Sequence, residues 1–221
     1  MRPFLTLVAR DLKLAVRQGG ALGTALGFYM LVVTLLPLGL GADLNLLSRI
    51  AAGVLWIALL LSALLSLPRV FASDYEDGSL DILATGPLPL ELVAAAKALA
   101  HWISTSIPLA LLAPVLGILL NLEIDAYPIL VATMLIGTPA VSFIGAVGAA
   151  LTLRAHRGGL LIALLVLPFY VPTLIFGIAS ISALLGPDGV TSPFLILTAI
   201  SLAAVVLGPV AAAAALRIQM Q

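Results

Sequence analysis

The sequence predicts an all-α membrane protein of six transmembrane helices, and three observations predict it. Of its 221 residues, 62% are hydrophobic and 9% are charged, whereas a soluble domain carries roughly 25% charged residues. The charges are gathered between long apolar runs. Six of those runs reach about 20 residues, the length at which a helix rising 1.5 Å per residue crosses a hydrocarbon core of roughly 30 Å.

Residues 3–18 come first and read as an amphipathic helix. Leu5, Val8, Leu12 and Ala15 share one face, and Arg10, Lys13 and Arg17 recur at spacings of three and four on another. Such a helix lies in the membrane interface with its basic face towards anionic headgroups. The plainer alternative is a basic flank that only fixes topology. The run from Gly20 to Leu40 is longer than the apolar stretch of a cleaved leader and no A-x-A site closes it, so it is expected to be a genuine span.

The six spans are expected at about 20–41, 49–68, 99–121, 128–152, 159–182 and 193–216. The fifth is the cleanest, running without a charge from Gly158 to Pro187. Pro108 and Pro114 interrupt the third, and Pro209 sits in the sixth; neighbouring helices let a membrane span tolerate proline. Arg2, Arg10, Lys13, Arg17, Arg69, Lys97, Arg154, Arg157 and Arg217 all fall on one side of that topology, and Arg49 alone on the other. The positive-inside rule then places both termini in the cytoplasm. The outer loops carry Asp43, Glu123, Asp125 and Asp188 instead. In the fourth span Gly137, Gly145 and Gly148 form a stripe of small residues, suited to close helix packing within the bundle or between two copies.

Several chemistries are excluded. Zero net charge, from ten basic and ten acidic residues, argues against a nucleic-acid partner, and no cysteine is present for a disulfide or thiolate metal site. Neither lysine, Lys13 or Lys97, follows a glycine-rich turn, so no P-loop is available to bind ATP. No G-x-S-x-G elbow or H-E-x-x-H pair occurs, and His101 and His156 are far apart in sequence. No Asp or Glu lies deep in a span, where ion-driven transporters place their carboxylates. No catalytic residue, metal ligand or directly bound cofactor is expected. The chain reads as a membrane part without its own energy source.

Two segments remain as candidate functional sites. The loop from Arg69 to Leu90 holds Asp74, Glu76, Asp77 and Asp81 on the side where basic residues dominate, interleaved with Phe71, Tyr75, Leu80, Ile82 and Leu83. An acidic, aromatic-bearing turn of this length could enter a cleft on a partner protein; a solvated loop is the simpler reading. At the entrance to the third span, Lys97 and His101 lie four apart on one helical face. There Lys97 could snorkel to the interface and Trp102 anchor in it, while His101 reads as structural more readily than as a haem ligand.

The segments Phe71-Ala-Ser-Asp-Tyr-Glu-Asp-Gly-Ser-Leu, Lys97-Ala-Leu-Ala-His-Trp, Gly137-Thr-Pro and Ile144-Gly-Ala-Val-Gly-Ala-Ala-Leu-Thr carry a family resemblance. Arg157-Gly-Gly-Leu-Leu and Leu167-Pro-Phe-Tyr-Val-Pro-Thr-Leu-Ile-Phe-Gly extend it. Together they resemble the haem exporter protein B (CcmB) family, the membrane subunits of the cytochrome c maturation ABC complex. The resemblance implies that residues 1–221 form a single ABC-transporter-type transmembrane domain in the bacterial inner membrane, with an interfacial helix at 3–18 and a coupling helix within 70–84. It implies a separate ATPase subunit of the CcmA type that binds the ATP, membrane partners of the CcmC and CcmD types, and a pairing of two six-span halves, for which a homodimer is the simplest form. Haem would be the cargo, or ATP hydrolysis would release a haem-loaded chaperone. Phe71, Asp74, Tyr75, Glu76, Asp77, Gly78 and Leu80 would make the ATPase contact, with Phe71 and Leu80 as buried anchors. A scaffold that only assembles haem-handling subunits is the rival reading, and an intramembrane lipid enzyme is a further one.

Overall fold

The computed structural model describes residues 2–41, 43–155, 158–183 and 191–220, so His156, Arg157 and Asp188 lie outside the described residues. Among the described residues every regular element is helical. In chain order these are α1 (Arg2–Gln18), α2 (Gly20–Leu40), α3 (Leu44–Ser66), α4 (Arg69–Glu76), α5 (Ser79–Thr85) and α6 (Leu90–His101). A π-helical turn (Trp102–Ser106) leads into α7 (Ile107–Leu119), and a 3-10 turn (Ile124–Ala126) into α8 (Tyr127–Leu151). The last two are α9 (Gly158–Ser182) and α10 (Thr191–Gln219).

Six helical runs are long and apolar enough to span a membrane: Gly20–Leu40, Leu44–Glu76, Leu90–Leu119, Ile124–Leu151, Gly159–Ser182 and Thr191–Gln219. They answer the six expected spans. The second and third are longer than their apolar cores because α4 prolongs α3 past Leu67–Pro68, and α6 starts nine residues before the expected boundary at 99.

The bundle is built around α8, which buries fourteen residues and packs most extensively against α10 and α9. Its small residues allow this. A Cβ at Gly137 would lie 2.6 Å from Trp56 Cη2, and one at Gly145 would lie 2.5 Å from Leu67 Cδ2 and 2.8 Å from the Tyr170 hydroxyl. Gly148 meets Val166 in the same way. The stripe thus seats α3 and α9 within one chain. The indole of Trp56 is gripped from a second side by Gly177, where a Cβ would stand 2.5 Å from Cε2. Between apolar helices in lipid there is no hydrophobic drive, so close packing and interhelical hydrogen bonds hold the contacts. The Tyr170 hydroxyl donates to the Val141 carbonyl at 2.6 Å, and Ser201 donates to the Ile136 carbonyl.

By contrast, α2 is peripheral. It buries only Ala25, Tyr29 and Val33, spaced by four along one face, against α3 and α7. Helix α1 rests mainly on α6. Of the expected apolar face, Val8 is buried and Leu12 and Ala15 are half-buried, while Leu5 is 61% exposed and Leu7 is buried in its place. Arg10 and Asp11 also turn inward, to partners on α4 and α6.

Candidate functional site

The expected coupling segment is two short helices rather than one. Gly78, in the left-handed region at φ 75°, makes the corner between α4 and α5 that a residue with a Cβ adopts only with strain. Asp77 accepts the Ser79 backbone N–H at 2.8 Å and starts α5. The Ser79 side chain, and after it that backbone bond, hold the Asp77 carboxyl below the usual carboxylate range.

The corner divides the candidate residues into two sets. Tyr75, Glu76, Asp77, Gly78, Asp81 and Ile82 are exposed. The Tyr75 hydroxyl accepts from Arg154 Nε at 3.2 Å, which ties the corner to the α8–α9 connection. Phe71 and Leu80 were expected to be anchors for a partner, but they are fully buried inside this chain. Asp74 was expected to meet a partner's basic groups, and its side chain is instead 7% exposed and saturated from within. Helix α4 is only two turns long and lies on the bundle, so half of its residues must face inward.

Asp74 belongs to a four-charge cluster. Its carboxylate accepts two bonds from Arg10 Nη2, at 2.7 and 2.8 Å, and one from the Ser79 hydroxyl at 2.8 Å. It also pairs with Lys97, which reaches Asp11 at 3.1 Å. Arg10 closes the circuit by donating from Nε to Asp11 at 2.9 Å. Burial pulls the Arg10 guanidinium down, and the Asp11 and Asp74 carboxylates more than restore it, so it stands above its ordinary value. Two cations and two carboxylates are neutral together, which is how buried charge is tolerated. Lys97 therefore does not snorkel: it is 4% exposed, and its ammonium lies 5.9 Å from the centroid of Phe71. The cluster pins α1, α4, the start of α5 and α6 to one point.

One turn further along α6, His101 is buried among hydroxyls rather than isolated. Its Nε2 lies 2.7 Å from Ser66 Oγ and its Nδ1 3.0 Å from Ser142 Oγ. Proton counting assigns the tautomer. The Ser66 hydroxyl already donates to the Ala63 carbonyl at 2.8 Å, so Nε2–H donates to Ser66 and Nδ1 accepts from Ser142. Ser106 then donates to Ser142 Oγ at 2.9 Å. His101 thus bridges two serine hydroxyls, donating to Ser66 and accepting from Ser142. The network joins α3, α6 and α8 beside the π-helical turn. Pro108, which has no N–H to offer the carbonyl of Ser104, accompanies that turn. Trp102 faces inward enough to donate from Nε1 to Thr138 at 3.0 Å.

A cleft of about 120 Å³ opens beside both clusters, between α1, the start of α2, α4 and the π-helical turn. The sequence does not reveal these meetings. Arg10 and Asp74 are 64 residues apart, and Lys97 and Asp11 are 86 apart. One signal was available: Asp11 interrupts a basic helix, and Lys97 stands at the head of an apolar span, so each needs a partner.

Six apolar helices, an elbow with an exposed acidic corner and a neutral charge cluster behind it define a multi-pass membrane protein. Among the described residues no group of three His, Cys, Asp or Glu could hold a metal. The chain belongs to the CcmB family, whose model, described as CcmB protein, matches residues 2–219. It is 57% identical to heme exporter protein B of Paracoccus denitrificans, over 97% of this chain and 99% of that one. It is 42% identical to heme exporter protein B of Escherichia coli K12, over 99% of both chains. With heme exporter protein B of Pseudomonas aeruginosa it shares 41% identity, over 98% of this chain and 97% of that one.

Proposed function

We propose that this chain is the permease subunit of an ABC complex for haem export in cytochrome c biogenesis, moved by ATP hydrolysis on a separate CcmA-type subunit. The observation that carries the reading is the two-sided elbow. Its outer side presents Tyr75, Glu76, Asp77, Asp81 and Ile82, an acidic corner with an apolar tip. Its inner side is tied through Asp74 to Arg10 and Lys97. A nucleotide shifts a conformational equilibrium only through contacts that differ between states. A corner that touches the ATPase outside and three helices inside transmits such a difference: displacing α4 by a fraction of a helical turn drags α1 and α6.

In this reading both termini and the elbow face the cytoplasm, the chain sits in the inner membrane, and α1 lies along the interface. CcmC- and CcmD-type subunits share the complex, and two copies of this chain supply its two six-span halves. The described spans hold hydroxyl clusters but no chain of polar groups across the bundle. That favours ATP-driven release of a haem-loaded chaperone from a neighbouring subunit over passage of haem through this chain.

Replacing Glu76 and Asp77 together by lysine tests the coupling. Both side chains are exposed, so the variant is expected to insert and to assemble with its other membrane partners. It should lose stimulation of the ATPase and cytochrome c maturation. Normal maturation with full stimulation would overturn the proposal, and an ATPase that the unaltered chain does not stimulate in the reconstituted complex would favour a scaffold.

A further inference from the structure

The cleft beside the charge cluster holds two positive features that repel each other. Helix α2 begins at Gly20 behind Gly19, which offers no side-chain cap, and its first intrahelical bond is from Gly23 N–H to the Gly19 carbonyl. The backbone N–H groups at the start of this 21-residue helix are therefore open, and they carry the positive end of its dipole. Against that end lies the Arg69 guanidinium: a Cβ on Gly20 would stand 3.0 Å from Arg69 Nη1. Arg69 makes no salt bridge or side-chain hydrogen bond among the described residues. A cation on the positive end of a helix is unfavourable unless an anion lies between them.

A third observation points to the same place. Thr105 is 3% exposed and lines the cleft, yet its hydroxyl has no hydrogen-bond partner among the described residues. The cleft's other charged side chains, Arg10, Lys97, Asp11 and Asp74, satisfy one another, whereas Arg69, which is exposed, pairs with none of them. Its volume of about 120 Å³ is several times the ~15 Å³ that one water requires. Leu14, Ala15, Ala21 and Leu22 supply an apolar edge.

We propose that this cleft is a binding site for a phosphate group, held between Arg69, the open N–H groups of α2 and the Thr105 hydroxyl. Arg69 gives the paired donors that match phosphate oxygens, and the helix start gives backbone donors and field. The site stands where the first span begins and the second ends, which is headgroup depth. An anionic phospholipid is thus one source of the phosphate, and a free phosphate is the other.

The test uses the full chain purified in micelles doped with phosphatidylglycerol or phosphatidylcholine, with retained lipid read by native mass spectrometry. Phosphatidylglycerol should be retained over phosphatidylcholine. Arg69→Gln should lower that retention about tenfold, the scale of one charge-assisted hydrogen bond. Thr105→Val, close to the same shape, should lower it less, and Lys13→Gln, which removes an exposed cation outside the cleft, should leave it unchanged. Inorganic phosphate that binds or displaces the lipid with the same dependence on Arg69 and Thr105 supports the site and assigns it to free phosphate. Equal retention of the two lipids without phosphate binding, or equal loss from Arg69→Gln and Lys13→Gln, would overturn the proposal.

Discussion

Asp74→Asn removes the one carboxylate that holds three helices together, and its cost follows from what is left behind. Lys97, 4% exposed, keeps only Asp11 at 3.1 Å. Arg10 keeps Asp11 as well, and with 36% of its side chain exposed it recovers much of its solvation. Removing one partner of a buried ion pair costs about 3–5 kcal/mol, and the remaining carboxylate places this case near the lower end, at about 3 kcal/mol. On the scale of a soluble domain of this length, that lowers the unfolding midpoint by roughly 6–12 °C. Tryptophan fluorescence during heating in detergent reads it directly, since Trp56 is fully buried. The interaction also predicts non-additivity. Lys97→Met should be damaging alone, and Asp74→Asn with Lys97→Met should be less damaging than the sum by about 2 kcal/mol. An unchanged midpoint in Asp74→Asn, or strict additivity in the double variant, would refute the account of the cluster.

Two further perturbations probe the bundle. Gly177→Ala should destabilise the chain by about 1–3 kcal/mol, because the new methyl meets Trp56 Cε2 at 2.5 Å while Gly137 blocks retreat on the other side; the same thermal assay checks it. Tyr29→Phe should be neutral or stabilising by about 1 kcal/mol, since the Tyr29 hydroxyl is buried without a hydrogen-bond partner. A clear loss of stability there would reveal a partner the hydroxyl requires.

The spans were legible because run length alone separates a membrane helix from a soluble one, and the stripe of Gly137, Gly145 and Gly148 was legible as packing because only glycine lets helices approach so closely. The charged residues were legible as important, but not in their roles. Lys97 suggested snorkelling, and Asp74 a contact with a partner, because periodicity shows which residues share a face without showing what that face meets. Phe71 and Leu80, expected as buried anchors of a contact with a partner, are buried within this chain. Trp56 drew no attention in the sequence, since the two glycines that hold it lie on α8 and α9. His101 looked isolated because Ser66 and Ser142, its partners, are 35 and 41 residues away.

In the proposed complex the corner at Asp77 faces the cytoplasm and touches an ATP-hydrolysing neighbour. The native chain has no cysteine, so Asp77→Cys gives a single thiol at an exposed position. In membranes carrying the assembled complex, that thiol should resist a membrane-impermeant maleimide applied from the periplasm, and a short bifunctional reagent should cross-link it to the ATPase subunit in a nucleotide-dependent way. Labelling from the periplasm, or a cross-link to no ATPase in any nucleotide state, would contradict the account.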